Sequence, residues 1–102
     1  MIRIALEKSK QEALLEKPQY FWVDSKQEVL IFHDGRKFRA VQAVCPHMGA
    51  QLEWNQKSGS VQCPWHELDF NLSTNFSSTH SRYRCLKEYS VRMEEDGVVL
   101  DA

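Results

Sequence analysis

The sequence predicts an all-β domain, an antiparallel β-sandwich of short strands, on three observations. Apolar residues recur at period two, as where Leu68, Phe70 and Leu72 enclose Asp69 and Asn71, the pattern of a strand with one buried face. Asp-Gly pairs at 34–35 and 96–97 interrupt apolar runs, which signals hairpins. Helix-like patterning is confined to one stretch near the N-terminus. Many short strands with regular turns and almost no helix pack as a sandwich or a small barrel.

In chain order, Ile2, Ile4 and Leu6 alternate with Arg3 and Ala5 and predict a first strand. Ser9 and Glu12 have capping-box spacing before Ala13, Leu14 and Leu15, so a short helical turn is expected there, stopped by Pro18. Tyr20 to Val23 is an aromatic strand, and Asp24, Ser25 and Lys26 mark a turn. Val29–Phe32 and Phe38–Val44 flank Asp34 and Gly35 as a hairpin. Leu52 and Trp54 follow as packing residues, Ser58 and Gly59 turn the chain, and Val61 leads into Cys63. Residues 73–84, rich in Ser, Thr, Asn and His, read as a long polar loop. Tyr89, Val91 and Met93 form a strand joined through Asp96 and Gly97 to a last one at Val98–Leu100.

With 102 residues and no repeat, linker or low-complexity tract, the chain is expected to be a single domain over 1–102. Its 13 Lys and Arg against 14 Asp and Glu leave a net charge of −1, with no basic stripe, so no nucleic-acid partner is expected. No apolar run has the length of a signal peptide core or a membrane span, so no membrane association and a cytoplasmic location are expected. With only three cysteines, two of them set beside histidines as candidate metal donors, a disulfide framework is not available.

The chemistry lies between Cys45 and His66. Cys45, Pro46, His47, Met48 and Gly49 form one clip, and Cys63, Pro64, Trp65 and His66 a second, with fifteen residues, 48 to 62, between His47 and Cys63. Two thiolates and two imidazoles in two short clips are a metal-site pattern. Zinc fingers usually pair Cys with Cys and His with His, whereas each clip here is mixed. A mixed clip suits a binuclear iron–sulfur centre in which one iron takes both thiolates and the other both imidazoles. Mononuclear zinc remains the competing reading; it predicts a colourless protein without redox activity.

These residues, with Pro46, Gly49, Pro64 and Trp65, closely resemble the Rieske [2Fe–2S] motif, in which His replaces Cys on one iron. The resemblance implies a Rieske-type fold with two cluster-binding loops and one [2Fe–2S] cluster per chain. Cys45 and Cys63 would ligate the inner iron, and His47 and His66 the outer, exposed one. Such a centre is formally neutral when oxidised, so it accepts an electron more readily than a four-thiolate dianion. The high-potential members carry an extra cysteine in each clip, where this chain has Ala50 and Trp65, and a Ser preceded by Gly, where Glu67 stands. With fewer donors to the added charge, a potential towards the low end, roughly −150 mV, is expected. A carboxylate at Glu67, if close, would favour the protonated imidazole of His66 and resist reduction.

The run His66 to Thr74, with Cys85 before a strand, is also similar, more loosely, to the Rieske domain of CMP-N-acetylneuraminate hydroxylases. Cys85 itself is read as a buried strand residue, and His33 and His80 as loop histidines. The resemblance to Rieske ferredoxins implies one-electron transfer from a flavin-containing reductase to an oxygenase or hydroxylase. An electron carrier, not a catalyst on its own, is expected, since no residues remain to build a catalytic domain. The alternative is the Rieske domain of a larger oxygenase; the initial Met and the end soon after the last strand favour a self-contained protein.

Overall fold

The structure, a computed structural model, describes residues 2–25, 27–44, 50–63, 68–71, 77–78 and 86–101. Its elements are β1 (Ile2–Ala5), α1 (Lys8–Glu16), β2 (Gln19–Trp22), β3 (Glu28–His33), β4 (Phe38–Gln42), β5 (Glu53–Asn55), β6 (Ser60–Cys63), β7 (Leu68–Asn71), β8 (Ser77–Ser78), β9 (Glu88–Glu94) and β10 (Gly97–Asp101). A six-stranded sheet runs β1-β10-β9-β4-β3-β2 and a four-stranded one β5-β6-β7-β8. Every named strand pairing is antiparallel. The expected all-β antiparallel sandwich is what the chain forms.

Strand β3 explains the layering. Its apolar run is buried on both faces: Val29 and Ile31 join one cluster with Leu6, Leu14, Ala40, Tyr89, Val98 and Leu100, while Leu30 and Phe32 join a second on the opposite side. Successive strand side chains point to opposite faces, so an unbroken apolar run needs a cover on each. Helix α1 and the curled β9–β10 edge cover the first, and the four-stranded sheet covers the second. Across that small sheet Trp54, Val61 and Phe70 lie in one register row. The Trp54 ring stacks on Phe32 with centroids 4.1 Å apart and planes 17° from parallel.

Helix α1 departs from its expected start. Glu7, not Ser9, occupies the N-cap and makes no side-chain cap bond, and the helix spans nine residues rather than a single turn. Its start is set by tertiary contacts: Leu6 is buried, its N–H donates to the Asp96 carbonyl at 2.9 Å, and the Gln11 amide donates to the carbonyls of Leu6 and Glu94. Pro18 ends it as expected, with Lys17 extended before the ring.

Both Asp-Gly hairpins exist, with different turn chemistry from the two-residue signal. His33 pairs with Phe38, leaving 34–37 as the loop. There the Asp34 carboxylate accepts the N–H groups of Arg36 (2.7 Å) and Lys37 (2.9 Å), and Gly35 takes φ 101°. At the second hairpin Glu94 pairs with Gly97, so the turn is 95–96 and Gly97 lies inside β10. A Cβ on Gly97 would strike the Ile4 carbonyl of β1, so close approach of β1 is what requires glycine.

Trp54 belongs to a strand that the alternation does not reveal. Val44 lies beyond β4, in an isolated bridge to Gln51. Ser77–Ser78 forms β8 against β7 inside the stretch expected to be loop; the rest of 73–84 lies outside the described residues, as do Lys26 and Leu72.

Candidate metal centre

Both clips sit on connections that the fold holds shut at the base. The first is spanned by the antiparallel bridge between Val44 and Gln51, with the Leu52 N–H donating to the Ala43 carbonyl at 2.7 Å. The second joins β6 to β7 across the pair Cys63–Leu68. The two bases share one core: Ala43, Ala50, Leu52, Val61, Cys63, Phe70 and Leu86 all belong to the cluster around Leu30 and Phe32. Loops separated in sequence are thereby rooted side by side.

Of the four expected ligands, the structure describes Cys63. It ends β6 and is fully buried, two positions along from Val61 on the face that meets the core. A thiol there faces inward, on the side where the resemblance would place the inner iron's ligands. Cys45, His47 and His66 lie outside the described residues, as do Pro46, Met48, Pro64, Trp65, Glu67, His80 and Cys85. Among the described residues no three His, Cys, Asp or Glu side chains gather as a metal site. Ala50, where high-potential Rieske proteins carry a cysteine, is 5% exposed within the shared core. His33, expected in a loop, is instead the last residue of β3, paired with Phe38; its Nδ1 accepts the Gly35 N–H at 3.1 Å, and its ring meets Phe38 edge-on at 4.9 Å.

Two residues that the sequence reading placed in strands without a role at the site bear on the first clip. Tyr20 in β2 donates its hydroxyl to the Leu52 carbonyl, and its pKa is raised by burial and then by the charges of Glu53 and Glu28. Gln42, at the end of β4, donates from Nε2 to the Val44 carbonyl at 2.8 Å and accepts the Lys87 N–H on Oε1 at 2.7 Å. The Gln42 N–H in turn donates to the Lys87 carbonyl at 2.9 Å. The signal for Gln42 was a polar side chain in an apolar strand; for Tyr20 it was a hydroxyl inside an aromatic run.

The donor set fits a binuclear iron–sulfur centre: soft thiolate and imidazole donors in two mixed clips, one thiolate buried at the floor. A small antiparallel β-domain with two such loops on one core defines an iron–sulfur electron-carrier class. The chain matches the family model of the Rieske [2Fe-2S] domain over residues 6–90, and it belongs to that family, whose members bind a [2Fe–2S] cluster and transfer electrons through it.

Among curated proteins, it is 36% identical over 76 residues to apoptosis-inducing factor 3 of Mus musculus, covering 74% of this chain and 13% of that protein. It is 28% identical over 76 residues to the cytochrome b6-f complex iron-sulfur subunit of Chlorobaculum thiosulfatiphilum, covering 74% of this chain and 41% of that subunit. The chain thus matches less than half the length of either relative. Among solved structures, the ferredoxin of carbazole 1,9a-dioxygenase from Nocardioides aromaticivorans IC177 superposes with TM-score 0.72 at 21% identity, covering 99% of this chain and 98% of that one. The plasma membrane Rieske protein PetC3 from Synechocystis PCC 6803 gives 0.71 at 20%, covering 100% of both. These likenesses establish the fold. Among the described residues no helix is long and apolar enough to cross a membrane.

Proposed function

We propose that residues 1–102 form a single domain in which Cys45 and Cys63 ligate one iron, and His47 and His66 the other, of one [2Fe–2S] cluster per chain. The domain then passes single electrons from a flavin-containing ferredoxin reductase to an oxygenase or hydroxylase in the cytoplasm. The observation that carries this reading is the pair of mixed Cys/His clips rooted in one core, with Cys63 buried at its floor. When bound, the cluster supplies storage for one electron at low cost in charge. The protein's part is to hold the donors in register and to keep water from the thiolate side, which Leu30, Phe32, Leu52 and Phe70 line with apolar groups.

The oxygenase assignment draws support from the dioxygenase ferredoxin, which shares the fold along nearly its whole length. A second reading is the Rieske domain of a larger oxygenase or hydroxylase; its place within a longer chain draws support from the 13% and 41% of the curated relatives that the chain matches. One set of variants tests the ligands. Cys45→Ser and Cys63→Ser should lose bound iron and the visible spectrum, while His80→Ala should keep both; bleaching of the His80 variant would undo the ligand set. For the partner, anaerobic NADH with a ring-dioxygenase ferredoxin reductase should reduce the protein by one electron. Reduction by dithionite but not by the reductase would contradict the ferredoxin role.

A further inference from the structure

The first clip has no long strand beneath it, because β4 stops at Gln42 and the chain continues as Ala43 and Val44. Beyond β4 the backbone still pairs, through the Ala43 N–H to the Glu28 carbonyl at 3.0 Å, the Leu52 N–H to the Ala43 carbonyl and the Val44–Gln51 bridge, and two side chains of the six-stranded sheet reinforce it. The last β4–β9 pair is Val41 with Glu88. One residue further, the Gln42 and Lys87 backbones exchange only one bond, and the Gln42 Oε1 accepts the Lys87 N–H in place of a carbonyl. The same amide turns its Nε2 to the Val44 carbonyl, immediately before Cys45. The amide orientation follows from its partners, a carbonyl on one side and an N–H on the other. At the other end of the clip, the Tyr20 hydroxyl holds the carbonyl of Leu52. Entry and exit of the first clip are therefore each gripped by one side chain, and Gln42 also holds the backbone that emerges from residues 79–85.

We propose that Gln42 and Tyr20 are positioning residues for the iron–sulfur centre, fixing the two ends of the first clip so that it opens only together with the sheet. This rests on the assignment of Cys45 and His47 as ligands. Local opening frees a bound metal without global unfolding, so the clamp governs how fast the cluster is lost. Tyr20→Phe removes one hydroxyl, Gln42→Ala removes both amide contacts, and Gln42→Glu keeps the acceptor for Lys87 while removing the donor for Val44. Gln11→Ala is the control. It removes two side-chain bonds of similar length, to Leu6 and Glu94, on the far side of the six-stranded sheet.

The experiment compares iron release to a chelator well below the melting temperature with the electron paramagnetic resonance line shape of the reduced protein. Tyr20→Phe should bind iron fully and release it about fivefold faster, the worth of one hydrogen bond, and Gln42→Ala, which loses two, should release it faster still; both should show broadened resonances. Gln42→Glu should release faster than wild type, and Gln11→Ala should melt lower yet release iron at the wild-type rate. Release from the Tyr20 and Gln42 variants no faster than from Gln11→Ala, with unchanged resonances, would overturn the clamp while leaving the ligand assignment standing. Absence of the signal in the unmodified protein would overturn the assignment, and the clamp with it.

Discussion

Asp34 shows how far a single residue was readable. The Asp-Gly pair placed a turn at 34–35, but not the use of the carboxylate, because that depends on Arg39 five residues on and on burial. In the fold the Asp34 side chain is 3% exposed and meets the Arg39 guanidinium at 2.6 Å, while Arg39 also reaches Glu88 at 2.9 Å. Burial pushes the Asp34 pKa up, but the N–H groups of Lys37 and Arg36 and the Arg39 charge outweigh it and hold it at about 2. The folded pKa lies below the unfolded value of about 3.9. The stabilisation is therefore complete above about pH 5 and is lost as pH falls through 4 and past 2, in total about 2–3 kcal/mol. Urea denaturation from pH 6 to pH 2.5 should show wild type losing about two-thirds of this increment and Asp34→Asn losing much less. Parallel curves would contradict the coupling. Gly97 teaches the same lesson, since the motif named the turn while β1, distant in sequence, sets the need for glycine.

At the scale of elements, period-two patterning located β1, β7 and β9, and unbroken apolar runs beside Asp-Gly pairs located β3 and β10, which are buried on both faces. The patterning missed β5, where Trp54 is the one apolar residue among Glu53 and Asn55 and the pairing with β6 supplies the strand. It also misplaced the start of α1, because the capping-box spacing competes with Leu6 docking on the β9–β10 turn. Helix α1 is held by packing, not by its caps. Leu14 is 1% exposed beneath it and Leu15 is 55% exposed beside it. Leu14→Ala should cost about 3 kcal/mol, and Leu15→Ala under about 0.5 kcal/mol, in chemical denaturation. Equal costs would mean that the helix is not seated on the sheet as described.

For the whole molecule, the four candidate donors and their spacing stand out in the sequence because metal chemistry demands particular atoms at short range. What was not legible is the packing that roots the two clips together: Ala43, Ala50, Leu52 and Cys63 meet in one core only once both sheets are folded. A group bound across both clips then ties the four-stranded sheet to itself and to β4, so its binding energy is also folding energy. Stripping the iron with a chelator should lower the thermal midpoint and leave the far-ultraviolet β signature of the six-stranded sheet largely in place. An unchanged midpoint would contradict a cluster shared between the clips.

The central claim, a Rieske centre held by Cys45, His47, Cys63 and His66, is tested most directly by a potentiometric titration followed by electron paramagnetic resonance on the purified protein. The account predicts a Rieske-type signal that appears on one-electron reduction at roughly −150 mV. Bound zinc and no signal at any potential would contradict it.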